Sequence, residues 1–219
     1  MFPFHRRVCA RMLSDIGCSF CGGIGFVEGT PIRLASGSRV VETLSREDRI
    51  QVSPTAAMNP SAVQQREIWL DPFDCPAVVR PLLVPPGALG NQTEFLLQQD
   101  MRVIMHDSDL VDAIGTGFVS VRAADLEAFR KIRLADPPKR ARLITVAFEA
   151  EQMVEVAGGA WVICPPLTRD IGAMIRNDTS VSVIDGQKVC HLTSSGSDAF
   201  LAMQEALPNA GAPQPLRLA

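Results

Sequence analysis

The feature that most constrains this chain is its punctuation. Its apolar runs are short, rich in β-branched residues, and separated by clusters of Gly, Pro or Asp: "PIRL", "DRIQV", "REIWL", "AVVRPLLV", "TEFLLQQDMRVIM", "GTGFVSV" and "ARLITVAFEAEQMVEV". Short runs of this kind bounded by turn residues read as strands, and a long series of them reads as a mainly β fold. The 16 Gly and 16 Pro are spread along the chain, which suits many strands joined by turns better than a helical bundle. In "PIRLASGSRVV", Ile32 and Leu34 alternate with Arg33, "ASGS" supplies a turn, and Val40 and Val41 resume the strand. Ser53 to Gln65, with two prolines and no apolar period, is expected to be a loop. One or two short helices are expected. The first spans Ala123 to Ile132, where Ala124, Leu126, Phe129 and Ile132 have helical spacing and two prolines follow. The second spans Ser197 to Leu207, with Phe200, Leu201, Met203 and Leu207 as its stripe and Ser195 or Ser197 as its cap.

A chain of 219 residues makes one good-sized domain, or one domain with extensions, and buries roughly 70% of its unfolded surface without needing disulfide staples. The six cysteines, Cys9, Cys18, Cys21, Cys75, Cys164 and Cys190, therefore read mostly as small buried hydrophobes. A net charge of −3 implies no basic face, and a chain without Tyr has few stacking surfaces, so nucleic acid is not expected as a partner. No stretch approaches the about 20 apolar residues of a membrane span. The opening "MFPFHRRVCARMLSDIGCSF" lacks an apolar run of signal-peptide length, so a cytoplasmic location is expected, with signal-independent export left open.

Against this background one stretch is unusually specific. Phe26, Gly29, Thr30, Ile32, Val41, Glu42, Leu44, Asp48 and Ile50 fall in register in "GFVEGTPIRLASGSRVVETLSREDRI". Their pattern resembles the first block of Hint domains, the hedgehog and intein autoprocessing modules: Cys-Phe-x-x-Gly-Thr-x-Ile, then Val-Glu-x-Leu-x-x-Gly-Asp-x-Val. "PLLVPPGALG", "FLLQQDMRVIM" and "ARLITVAFEAEQMVEVAGGAWV" are similar, less specifically, to later segments of a bacterial Hint subgroup. The resemblance implies a horseshoe of twisted β-hairpins whose two ends meet at a central cleft. It divides the chain into a lead segment 1–24, a Hint-like β domain 25–165, and a C-terminal extension 166–219.

The resemblance also implies a chemistry. In the family, a Cys or Ser side chain attacks the carbonyl just before it, converting an amide to a thioester or ester, and a nearby Thr and His assist. Here the nucleophile position is Gly25, which has no side chain, and the assisting His position is Met101, whose thioether carries no proton at neutral pH. A later His position falls near Glu151. Thr30 keeps its motif position, while the family's turn Gly before Asp48 is Glu47, which calls for either positive φ at a non-glycine residue or a different turn. The substitutions point to a degenerate autoprocessing module that has lost self-cleavage and serves a structural or protein-binding role, with no cofactor and, as partner, another protein. If the cleft geometry survives, Gly25→Cys with Met101→His is expected to restore thiol-induced cleavage.

Two other readings stay open. A relocated Cys nucleophile would keep the domain active, but Cys21 lies more than about 10 Å along the chain from Gly25 if the segment is extended. His106, at an odd offset from Met101, would point to the opposite face of a strand. Alternatively, Cys18 and Cys21 in "CSFC" have redox or metal-ligand spacing, although no second ligand pair accompanies them and Cys190-His191 is adjacent and distant. His106-Asp107-Ser108-Asp109 reads as a polar hairpin turn, and the six basic residues of "RKIRLADPPKRAR" as a solvated helix end and loop.

Overall fold

Short strands do dominate. The computed structural model describes residues 24–69, 80–106, 116–136, 140–164, 166, 180–184 and 186–192. Its first strands are β1 (Phe26–Val27), β2 (Pro31–Leu34), β3 (Gly37–Val40), β4 (Ile50–Gln51), β5 (Ala57–Met58), β6 (Ala62–Trp69), β7 (Leu82–Val84) and β8 (Phe95–Leu97). These are followed by β9 (Arg102–His106), β10 (Phe118–Arg122), β11 (Arg133–Leu134), β12 (Arg140–Ala147), β13 (Gln152–Val156), β14 (Ala160–Cys164), β15 (Ser180–Ile184) and β16 (Gln187–His191). They form a six-stranded sheet in the order β11-β7-β8-β1-β12-β6 and a ten-stranded sheet in the order β15-β16-β10-β9-β14-β13-β2-β4-β5, with β3 paired to β2. The one parallel pair among the described strands is β10 with β16.

Burial follows the sequence pattern. In β2, Ile32 and Leu34 are buried and Arg33 is exposed, the alternation of a strand with one face on the core. All five residues of β14 are buried, as expected of a central strand covered on both faces. One large apolar cluster draws on both sheets, with Phe26, Val84 and Ile144 from one and Ile32, Val103 and Val162 from the other.

The opening block is knit by its motif residues. Gly29 takes a φ of 82°, and its N–H donates to Glu42 Oε2 at 2.8 Å. Thr30 donates its hydroxyl to the Val27 carbonyl at 2.7 Å, closing the corner between β1 and β2. The Asp48 carboxylate accepts from Ser45 N at 2.8 Å and Ser45 Oγ at 3.0 Å, and pairs with Arg39 at 2.8 Å. Those contacts, the Ser45 backbone N–H first, hold the Asp48 carboxyl below its ordinary range. Glu47 is not among the residues with positive φ, so this turn is of another type and carries no glycine-like strain.

Two expectations are corrected. The segment from Ser53 to Gln65 is not a loop: β5 lies within it, and β6 begins at Ala62 and pairs with β12 from Ala62↔Ala147 to Trp69↔Arg140. Tertiary pairing makes a strand of "AVQQREIW", whose polar centre gives no local signal. The helix over Ala123–Ile132 is also absent. In its place are two short 3-10 turns, Ala123–Leu126 and Phe129–Lys131, separated by Ala128 at φ 71° and with Arg130 at φ 46°. The N–H groups of Ala123 and Ala124 are taken by the Met101 and Gln99 carbonyls, and Ala128 N by Ile132 O. The helical spacing of the apolar residues is overridden by docking of that backbone onto a neighbouring connection. Residues 1–23 of the lead segment with Cys18 and Cys21, the turn 107–109 and the Ser197–Leu207 helix lie outside the described residues. Beyond residue 165, β15 and β16 extend the ten-stranded sheet through β10.

Candidate functional site

The topology places the candidate residues before their side chains are considered. Among the described residues the chain leaves the six-stranded sheet and enters the ten-stranded one at three points: after β1 through residues 28–30, after β8 through 98–101, and after β12 through 148–151. Thr30, Met101 and Glu151 are the last residues of those three passages, and Gly25 stands just before β1. Positions that are 76 apart in sequence thus share the seam between the sheets.

At that seam Gly25 and Met101 meet. The Gly25 N–H donates to Met101 Sδ at 3.2 Å in a buried contact. Met101 is 1% exposed and fixed through its own backbone, its N–H donating to Gln98 O at 3.0 Å and its carbonyl accepting from Ala123 N at 2.8 Å. On the other side of the same peptide unit, Thr145 Oγ1 donates to the Ile24 carbonyl at 2.9 Å. The Ile24–Gly25 amide is therefore held at its N–H by the 98–101 passage and at its C=O by β12.

The side-chain direction at Gly25 is closed. A Cβ built there would lie 2.9 Å from the Ile144 carbonyl oxygen, 3.0 Å from Leu143 Cγ and 3.2 Å from Thr145 Oγ1. The nearest of these is backbone of a paired strand, with Phe26 opposite Ile144 in the β1–β12 register. Placing a side chain at this position therefore requires β12 to shift.

Thr30 does not join this group. Its hydroxyl is committed to Val27 O, its N–H to the same carbonyl at 3.2 Å, and its carbonyl accepts from Val41 N. Glu151 is half-buried just before β13. His106 sits at the far end of β9, roughly 15 Å of strand from Met101, with its ring packed on Phe118 at 4.6 Å. Sequence reasoning missed Thr145, which lies mid-strand in "RLITVAF" with no spacing to mark it.

The chemistry available follows from these groups. The peptide carbonyl before Gly25 retains a hydroxyl donor, a polarising contact of the kind that stabilises a developing oxyanion. The opposite side offers a thioether that accepts a hydrogen bond and cannot deliver a proton to a leaving amine. Cys164 and Cys190 are free and buried, and burial pushes both thiols up, so neither presents a thiolate at neutral pH. Among the described residues no His, Cys, Asp and Glu cluster is placed to hold a metal ion, and no helix is long and apolar enough to cross a membrane.

A family model described as the Hint domain matches residues 24–162. Among solved structures, the chain is similar to a bacterial intein-like domain from Clostridium thermocellum. That match has 20% identity and a TM-score of 0.38, covering 64% of this chain and 97% of that one. It is also similar to a GSH-linked, splice-inactive variant of the AceL NrdHF class 3 split intein, at 12% identity and a TM-score of 0.37, covering 65% and 99% respectively. No curated protein matches.

Proposed function

The chain belongs to the Hint domain family, and on that premise we propose that it is a degenerate member, one that keeps the scaffold, has lost self-cleavage, and serves a structural or protein-binding role. The observation that carries this reading is the buried contact between the Gly25 N–H and Met101 Sδ. The two residues in contact are those that the resemblance aligns with the family's nucleophile and acid, and neither can perform that task. The amide-to-ester shift needs an attacking oxygen or sulfur, and Gly25 supplies no side chain. Expulsion of the amine needs a proton, and Met101 has none to give. The crowding at the Gly25 Cβ position supports the same reading: the space a nucleophile requires has been taken over by β12.

The polarising contact from Thr145 to Ile24 O is what remains of a reactive arrangement. One electrophile-side hydrogen bond without nucleophile or acid leaves an ordinary stable amide. The domain 25–165 then keeps the Ile24–Gly25 amide as an ordinary link held at the seam between its sheets.

The test is direct. The full chain carrying a tag at each end is expressed, incubated with excess thiol at neutral and mildly alkaline pH, and its intact mass followed. A single full-length mass is expected throughout. Accumulation of a piece ending at or before Ile24, under conditions that exclude proteases, would contradict the reading and favour a relocated nucleophile.

A further inference from the structure

Beyond the segment matched by the family model, the chain returns to the sheet as the β15–β16 hairpin, and the manner of its attachment is specific. Strand β16 lies parallel to β10, with Val119↔Cys190 and Ser120↔His191 opposite one another. A row of polar side chains crosses four strands there. Arg102 on β9 donates through Nε to Ser120 Oγ at 2.6 Å. Ser120 Oγ lies 2.8 Å from His191 Nδ1, and His191 Nε2 lies 2.6 Å from Ser182 Oγ on β15. Arg102 Nη2 also donates to two carbonyls, Ser120 O at 2.7 Å and Leu192 O at 2.9 Å. Arg102, Ser120 and His191 are buried.

These contacts can be satisfied together in one assignment. Ser120 Oγ accepts from Arg102 and directs its own hydrogen at Nδ1, and the imidazole N–H on Nε2 donates to Ser182. A buried polar chain satisfied along its length specifies one docking register, because any slip leaves several buried donors without acceptors. Apolar groups of the hairpin add to it: Ile184, Val189 and Leu192 are fully buried in the main core cluster.

We infer that the β15–β16 hairpin is a docked clamp. It stays bound to β10 when the backbone joining it to β14 is cut, and the side of β10 it covers is an interaction surface for a two-stranded β segment that carries a buried imidazole between two serines. A piece generated by any cleavage between 166 and 180 is then retained as a non-covalent partner rather than released.

The experiment places a sequence-specific protease site within residues 170–175 of the full chain, cuts it, and applies the product to size exclusion in native buffer. Co-elution of both pieces at the position of the uncut protein is expected. Separation of the pieces while the larger one keeps its β signal by circular dichroism overturns the inference. In the cut protein, His191→Leu is expected to speed dissociation of the smaller piece by roughly tenfold or more, since one buried hydrogen-bond pairing is lost at each ring nitrogen. Should His191→Leu fail to fold uncut, Ser182→Ala, at the half-buried end of the row, takes its place with an expected increase of a few-fold. Dissociation unchanged from the cut wild type in the folded variant overturns the role of the polar chain.

Discussion

The corner from Gly29 to Ile50 and the junction at Ile24–Gly25 are nearly contiguous in sequence, yet they use their residues in opposite ways. In the corner the motif side chains do the holding: Thr30 on Val27 O, Glu42 on Gly29 N, Asp48 on Ser45 and Arg39, with Ile32, Val41, Leu44 and Ile50 packed into the core. At the junction the backbone is held instead, its N–H by Met101 and its C=O by Thr145, and Gly25 brings no side chain. Residues that hold a corner together are constrained by packing and hydrogen bonds whether or not the module reacts. A reacting residue is constrained only while the reaction is used. A Cβ built at Gly25 would lie 2.9 Å from Ile144 O, so the neighbouring strand leaves no room for a side chain there.

The contrast can be broken at several points. The largest effect is expected in the corner: Ile32→Ala, at a fully buried position, should lower unfolding free energy by about 2–5 kcal/mol in urea titrations. At the junction Gly25→Ala is expected to destabilise by about 1–3 kcal/mol through overpacking against β12, and a neutral outcome would show that β12 yields readily. Met101→Leu keeps the volume and removes the acceptor of the Gly25 N–H; about 1–3 kcal/mol should be lost, together with hydrogen-exchange protection at that one amide. Thr30→Val keeps shape and loses the bond to Val27 O, for about 0.5–1.5 kcal/mol.

The smallest effect is pH-dependent. The Asp48 carboxyl is held below its ordinary value of 3.8, so its stabilisation is fully present above that value and is lost as pH falls through the lowered folded value. The melting temperature of the wild type should therefore drop on acidification below that ordinary value more steeply than that of Asp48→Asn.

How much of this was legible in the sequence differs between the two regions for the same physical reason. The corner could be read because its residues act locally: Gly29, Thr30 and Asp48 bond within a few positions of themselves or across one hairpin. The meeting of Gly25 with Met101 was reachable only through the family resemblance, since no local pattern joins residues 76 positions apart. Thr145 stayed hidden because a threonine in a strand is ordinary, and only pairing of β12 with β1 aims it at Ile24. The first half of strand β6, residues 62–65, and the 3-10 turns near Leu126 were misread for a related reason. Pairing with β12 and docking onto the 98–101 passage set their conformation against the local signal. The row from Arg102 to Ser182 depends on a parallel strand arriving from far along the chain, and no spacing rule announces it.

On the proposed reading, closure of the junction accompanies its disarming. It is tested most directly by Gly25→Cys combined with Met101→His in the full chain, shown to be folded by circular dichroism and then followed by intact mass in excess thiol. Closure predicts one full-length mass, because the new Cβ meets the Ile144 carbonyl before its sulfur can reach Ile24. Thiol-dependent appearance of a fragment beginning at residue 25 would contradict it, and would show that β12 leaves room for a reacting side chain there.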